Sequence, residues 1–373
     1  MSDKNIAEIA EEINEDYSND SLFNITSWGA DISLRELASS YEEGDIVKPE
    51  LQRKYVWEKQ EASRFIESIL LGLPVPSIFL ANSRDDRKLI VDGYQRIMTV
   101  VDFMKGIWSK DGTPFQLSNS ERINERWRNK SYSEISGDDQ RRFRLYTIHA
   151  IIFEQKKPQN DDGLYQIFER INTSGRVLNS QEIRNCVYQG RLNTLLLEVN
   201  RFDKWRSLFG EEAENSRMLD LEFILRYYAL ADDVQWMTSG GRIVLKKYLN
   251  DYMGKYVVAD DEFVNSHRAQ FEQVVSFLYD RIGKEVFYNL TNDFTSVRKK
   301  FYPTIFDSIM VATKIALERG YDKEDDLRKR RLELLKDTSY RESITQGTMS
   351  HDNIKNRVEL ALNYLFDMSL GDE

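Results

Sequence analysis

Five residues that follow an apolar run, Asp92-Gly93-Tyr94-Gln95-Arg96, combine side chains and backbone chemistry that could hold an anion. The run itself, 88–91, reads as a short buried strand. Asp-Gly is turn chemistry. Apolar residues return at 97, 100, 101 and 104, which is helical spacing. A strand, a tight turn and a helix therefore follow one another, with Gln95 and Arg96 in the first helical turn. Backbone N–H groups without intrahelical partners collect there, at the positive end of the helix dipole. An arginine in that turn works against the dipole. A guanidinium that answers a bound phosphate through two parallel hydrogen bonds would explain it. The competing reading is an arginine paired with a nearby acid.

Three more patterns carry polar groups to places where they could act. Gln52-Arg53, with Tyr55 and Trp57 just after, sets a cation beside aromatics at a helix approach. Trp57 reads as a core anchor, and Arg53 as a source for a second phosphate contact. The segment 168–175 ends in Asn172-Thr173-Ser174-Gly175. Asn and Gly there suit the left-handed backbone of a helix stop as well as a binding role. Glu182, with Arg184 and Asn185, lies just inside the next helix start, where capping alone could explain it.

Other chemistries are not encoded. There is no Walker pattern, nucleophile elbow, HExxH or EF-hand loop. His351 is followed by Asp352 and Asn353 but by no His-Asn-His arrangement. One cysteine, Cys186, and three scattered histidines, His149, His267 and His351, leave no basis for a zinc site or an internal disulfide. Hydrophobic residues make up 41% and charged ones 31%, with no membrane-length apolar run and no signal peptide, so a cytoplasmic globular protein is expected. The net charge of −10 argues against a surface coated for non-specific DNA binding, but leaves room for a local basic groove. Basic runs occur at Arg141-Arg142-Phe143-Arg144, Arg298-Lys299-Lys300 and Arg328-Lys329-Arg330-Arg331. Solvated faces are the default for these, and nucleic-acid contact is the alternative.

The elements that must position these groups fall into three parts. Residues 1–22 form an acidic tail. Residues 23–157 read as a small mixed α/β domain. A capping box at Ser33 opens a helix that Gly44 ends, and a helix with apolar positions 62, 65, 66, 69 and 70 follows. Strands are expected at 77–81, 88–91 and 143–154. A polar insertion over 105–142 should carry a short helix with Ile123, Trp127 and Tyr132. The stretch 156–163 reads as a linker, and 158–373 as an all-helical domain.

The ordered set of motifs resembles the GmrSD-type N-terminal domain family. The match runs through Gln-Arg-Lys-Tyr-Val-Trp from 52, Val-Asp-Gly-Tyr-Gln-Arg from 91 and Phe-Glu-Arg-Ile-Asn-Thr-Ser-Gly from 168, with Glu-Ile-Arg at 182–184. The resemblance implies a ParB/sulfiredoxin-like N-terminal fold followed by helices, and a role in bacterial defence against foreign or modified DNA. It also implies nucleoside triphosphate binding, often with hydrolysis. The family's Asp-Gly-Gln-Gln-Arg motif carries over as Asp92, Gly93, Gln95 and Arg96, with Tyr94 in place of the middle Gln. Gln52, Arg53, Asn172, Thr173, Gly175 and Arg184 carry over as further binding positions. Asp92 and Glu182 are the candidates to place a metal, Mg2+ by this reading, or a water. DNA, a separate nuclease or defence-system subunit, and a second copy of the chain are the partners to expect, and a membrane is not. The alternative is a non-catalytic ParB-like adaptor whose nucleotide switches DNA or partner binding. Intrinsic DNA nicking ranks last. A stand-alone chain without a His-Asn-His nuclease domain is expected.

Overall fold

The computed structural model describes residues 6–7, 24–48, 55–82, 87–157, 162–171, 178–215 and 217–371. It is a mixed α and β structure, with a small sheet in the N-terminal part and helices after it. The chain divides into two compact units: Ser21–Val187, and Tyr188–Glu373 with Met1–Asp20.

The first unit is built on a five-stranded sheet. Its strands are β1 (Asn24–Ser33), β2 (Ile46–Val47), β3 (Ile78–Asn82), β4 (Lys88–Asp92) and β7 (Thr147–Lys157), in the order β1-β7-β3-β4-β2. β3 lies parallel to β7 and antiparallel to β4. The buried run Leu89-Ile90-Val91 is the apolar segment expected of a strand near the sheet centre. Helices α1 (Leu34–Glu43), α2 (Lys59–Leu70), α3 (Tyr94–Lys105) and α4 (Gly137–Leu145) supply the rest of the core. Ser33 caps α1 by accepting from the Glu36 N–H at 3.2 Å, and Gly44 ends it in a left-handed turn. Ala62, Phe65, Ile66, Ile69 and Leu70 form the buried face of α2. Helices α5 (Asp162–Ile171) and α6 (Ser180–Val187) also fall in this unit, so both motifs after residue 160 are grouped with the sheet and not with the later helices.

Two local expectations are overturned. Residues 143–145 do not begin a strand. They end α4, and the strand starts at Thr147. Phe143 gave the segment an apolar, strand-like start, but its ring packs edge-on against Phe103 on the helix side of the sheet. The insertion forms a small hairpin, β5 (Ile107–Trp108) with β6 (Thr113–Pro114), followed by turns instead of a short helix. Its aromatic residues make it part of the core. Trp108 meets Tyr55 and Phe115 at 4.7 Å, and Trp127 donates to Asp139 at 3.0 Å. Strand β1 was not foreseen. It pairs with β7 along its whole length.

The second unit is helical: α7 (Arg191–Asn200), α8 (Asp203–Phe209), α9 (Leu219–Asp233), α10 (Leu245–Lys255), α11 (Asp261–Arg281), α12 (Pro303–Glu318), α13 (Leu327–Leu334), α14 (Thr338–Ser343) and α15 (His351–Phe366). A hairpin of β8 (Tyr288–Leu290) and β9 (Val297–Phe301) interrupts them. Ile6 of the acidic segment bridges to Phe301, and the Ala7 N–H donates to the Phe301 carbonyl at 2.8 Å. A buried charge group sits among the helices. Arg226 on α9 grips Asp307 on α12 with two bonds, at 3.1 and 2.5 Å, and Arg357 on α15 reaches the same carboxylate at 3.3 Å. All three side chains are fully buried.

Removing the shared acceptor of such a group leaves guanidinium charge stranded in a dry interior. Asp307→Asn should therefore cost about 3–5 kcal/mol. Urea unfolding would read this as a lower midpoint with an unchanged slope. A loss below about 1 kcal/mol, typical of an exposed pair, would mean that the group is solvated.

Candidate functional site

Strand β4 turns into α3 within a single residue, and Gly93 makes that possible. It adopts φ 102°, in the left-handed region where a side chain is strained. It also sits against β3: an added Cβ would lie 2.5 Å from Ile78 Cγ2 and 3.4 Å from a terminal nitrogen of Arg96. Ile97 N–H donates to the Gly93 carbonyl at 3.0 Å as the helix starts. The N–H groups of Tyr94, Gln95 and Arg96 therefore occupy the first turn, where a helix offers no acceptor of its own.

Each side chain of the motif has a distinct position. Arg96 folds back onto Asp92, one turn earlier, at 2.5 Å, and donates to the Ser77 carbonyl at 3.0 Å. The Arg96 side chain is only 16% exposed, whereas that of Asp92 is 45% exposed. The acid-paired reading of Arg96 thus describes the arrangement in this structure. The Arg96 Nε is buried and has no hydrogen-bond partner among the described residues. Gln95 turns away from the helix start. Its carbonyl oxygen accepts from Val56 N–H at 2.9 Å and Trp57 N–H at 3.1 Å. Tyr55 hydrogen-bonds Thr99 at 2.6 Å, one turn further along α3. The segment 55–57 is thus laced to α3 by Gln95 and Thr99. Trp57 packs edge-on against Phe65, in keeping with its reading as an anchor.

Tyr94 is buried, and its phenol is hydrogen-bonded to that of Tyr41 on α1. Burial, with Tyr41 beside it, pushes the Tyr94 hydroxyl far above its ordinary range. The residue that departs from the family motif is thereby absorbed into the core.

Sequence reasoning passed over Lys48. It follows the two-residue strand β2, and its ammonium lies over the Tyr94 ring, 4.7 Å from the centre. Burial lowers its pKa from the usual lysine value, and the nearby Cys186 works the other way. The only signal in the sequence was a lysine placed between a short apolar strand and Pro49. Cys186 belongs to α6.

Glu182 and Arg184 are both buried on α6. Asn179 and Glu182 form a reciprocal cap: the Glu182 carboxylate accepts from Asn179 N–H at 2.7 Å, and Glu182 N–H donates to Asn179 Oδ1 at 2.8 Å. Arg184 Nε donates to Gln181 at 2.8 Å. Gln52, Arg53, Asn172, Thr173 and Gly175 lie outside the described residues. Among the described residues, no three His, Cys, Asp or Glu side chains converge as a metal site would require.

Residues 34–189 match the family described as GmrSD restriction endonuclease, N-terminal domain. No curated protein and no solved structure matches the chain. No helix among the described residues is long and apolar enough to cross a membrane.

Gly93→Ala should lower stability by roughly 2–4 kcal/mol, adding left-handed strain to overpacking against Ile78. Removing the Ile78 branch separates the two terms. In an Ile78→Ala background the same change should cost less, as measured by chemical denaturation of all four proteins.

Proposed function

We propose, taking the GmrSD-type N-terminal domain over residues 34–189 as the premise, that this domain binds a nucleoside triphosphate and hydrolyses it within a DNA-directed restriction or defence system. The observation that carries the reading is the start of α3. There, a left-handed glycine, three first-turn N–H groups and the largely buried arginine with an unmet Nε–H meet at one strand end. A phosphate fits that set, since N–H groups and a guanidinium fork are its natural donors. Gly93 itself adds no side chain to the turn, although Ile78 packs against its α-carbon.

In this reading Arg96 exchanges its bond to Asp92 for phosphate oxygens. Lys48 adds charge from the Tyr94 side, and Arg53 completes the clamp. Asp92, released and half exposed, orients a water or a magnesium ion, and Glu182 is the second candidate for that task. A bound magnesium ion would neutralise charge on the phosphates. Gln95 and Thr99 work indirectly, by holding 55–57 against the helix. The family match supports DNA, a nuclease or another defence subunit as partners.

One observation favours a second reading. Both candidate carboxylates already serve structural bonds, Asp92 with Arg96 and Glu182 in the α6 cap. A nucleotide-switched adaptor needs the clamp but no catalytic carboxylate. Phosphate release under multiple turnover separates the two.

Arg96→Ala should weaken triphosphate binding by about 1.5–3 kcal/mol, and Arg96→Lys should restore little of it. Unchanged affinity by calorimetric titration would remove the clamp. The same titration tests Lys48. Its lowered pKa means that the ammonium begins to lose its proton below the ordinary lysine value, and a bound phosphate favours the charged form. Binding at alkaline pH should therefore take up a proton, and affinity should fall as pH rises. Titrations in buffers of different ionisation enthalpy would show the uptake, and Lys48→Gln should abolish it.

Glu182 can be separated from its cap, because Gln is also accepted at the third position of a capping box. Glu182→Gln should leave stability and triphosphate affinity nearly unchanged while slowing phosphate release. Equal hydrolysis by Glu182→Gln and the parent would assign Glu182 to the cap alone.

A further inference from the structure

We propose that the β8–β9 hairpin and α14 form a phosphate site for single-stranded nucleic acid, separate from the α3 helix start. The second unit contains a cavity of about 160 Å³ lined by residues of 289–302 and by Arg341, Ile344 and Thr345. Two arginines line it, Arg298 from β9 and Arg341 from α14, and no carboxylate does. Arg298 bonds to the Asn292 amide oxygen at 2.5 Å, which fixes its direction and leaves its charge uncompensated by that bond. Arg341 lies over the ring of Phe294, 4.8 Å from its centre. The acid nearest to Arg298 in sequence, Asp293, is turned into its own loop. It accepts from Thr291 at 2.5 Å and Thr295 at 2.8 Å, and these bonds hold its carboxyl down at a pKa of about 2.

The rest of the wall suits a nucleotide unit. Asn289, Asn292, Thr345 and Tyr302 bring amide and hydroxyl groups that can bond base edges or sugar. The volume is close to that of a cavity able to hold one benzene ring, about 150 Å³. Phe294 is partly exposed at the hairpin tip, with φ 58°, a left-handed conformation uncommon for a bulky residue. An exposed aromatic beside guanidinium groups is how proteins stack unpaired bases while tracking their phosphates. Lys299 and Lys300 extend the positive charge along β9. Three arginines of the other basic runs are engaged within the fold. Arg330 pairs with Asp325 and Asp367, Arg331 donates to the carbonyls of Val286 and Tyr288, and Arg142 donates to the Leu70 carbonyl. A ring-sized cavity admits an unpaired base and not a base held in a duplex, so single strands should bind better than duplexes.

Fluorescence anisotropy of the full chain with a labelled single-stranded oligonucleotide tests this, with a duplex and a free nucleoside triphosphate as comparison ligands. In the Arg298→Ala/Arg341→Ala protein, oligonucleotide affinity should drop roughly tenfold or more per arginine. The slope of log affinity against log salt should flatten by about 1.4, for two phosphate contacts at about 0.7 each. Triphosphate affinity at the α3 site should not change, which keeps a failure here distinct from a failure of the clamp. An Arg298→Lys/Arg341→Lys protein keeps the charge without the fork, and should fall between the two. If the parent binds free nucleotide through these arginines and ignores oligonucleotides, the phosphate chemistry stands and its source is a free nucleotide. Equal oligonucleotide affinity and salt slope in the parent and a folded double-alanine protein overturns the site.

Discussion

The N-terminal unit depends on one backbone constraint, the left-handed turn at Gly93. A strand in the middle of a sheet ends there, and a helix must begin at once. With φ at 102° and Ile78 against the α-carbon, no residue with a side chain fits without strain. The consequence reaches beyond the turn. Because α3 starts immediately at the strand end, its first-turn N–H groups stand at the edge of the sheet and not in a loop. Arg96 is short-coupled to Asp92, the last residue of the strand. Gln95 and Thr99, on successive turns, then hold 55–57 in place. One glycine thus sets the geometry of an arginine, an acid and a neighbouring segment.

The two units use buried charge differently. In the helical unit, Arg226, Asp307 and Arg357 are sealed from water, and their bonds join three helices that are distant in sequence. Such a group fixes which helices face one another, and its charges are not available to a ligand. In the N-terminal unit, the Arg96–Asp92 pair is graded. The guanidinium is mostly covered, and the carboxylate is almost half exposed. An ion pair with one wet partner can be exchanged for another anion at modest cost, because the carboxylate can return to water. The same covalent groups thus act as a fastener in one unit and as a replaceable contact in the other.

Much of the N-terminal unit was legible because its signals were local. A buried apolar run, Asp-Gly and helical spacing define β4, the turn and α3. Ser33 and Asn179 announce their caps three residues ahead of Glu36 and Glu182. The failures share a different cause. Strand β1 is an edge strand with exposed residues along it, Trp28 among them at 42%, so it lacks a clean apolar alternation. β9 reads as a basic run because its residues are largely solvated. Phe143 and Leu145 resembled a strand start, but only long-range packing against Phe103 reveals that they close a helix. Lys48 has no motif. Its interest comes from Tyr94 and Cys186, which are 46 and 138 residues later in the chain. The candidate residues at 92–96 were legible because they are contiguous, whereas Lys48, which lies over Tyr94, was not.

That separation also bears on how a nucleotide could be sensed. A ligand shifts a conformational equilibrium only through contacts that differ between states. The structure contains one candidate for such a contact, the Arg96–Asp92 bond, which a phosphate at the proposed site would have to displace. A second group stands at that place: Lys48, whose ammonium lies over the ring of Tyr94 at the start of α3. A signal carried across a long interface would require many weak contacts to move together. On the proposed reading, the charge state of Lys48 and the partner of Arg96 would change at the same place, so a bound phosphate would act on both groups together.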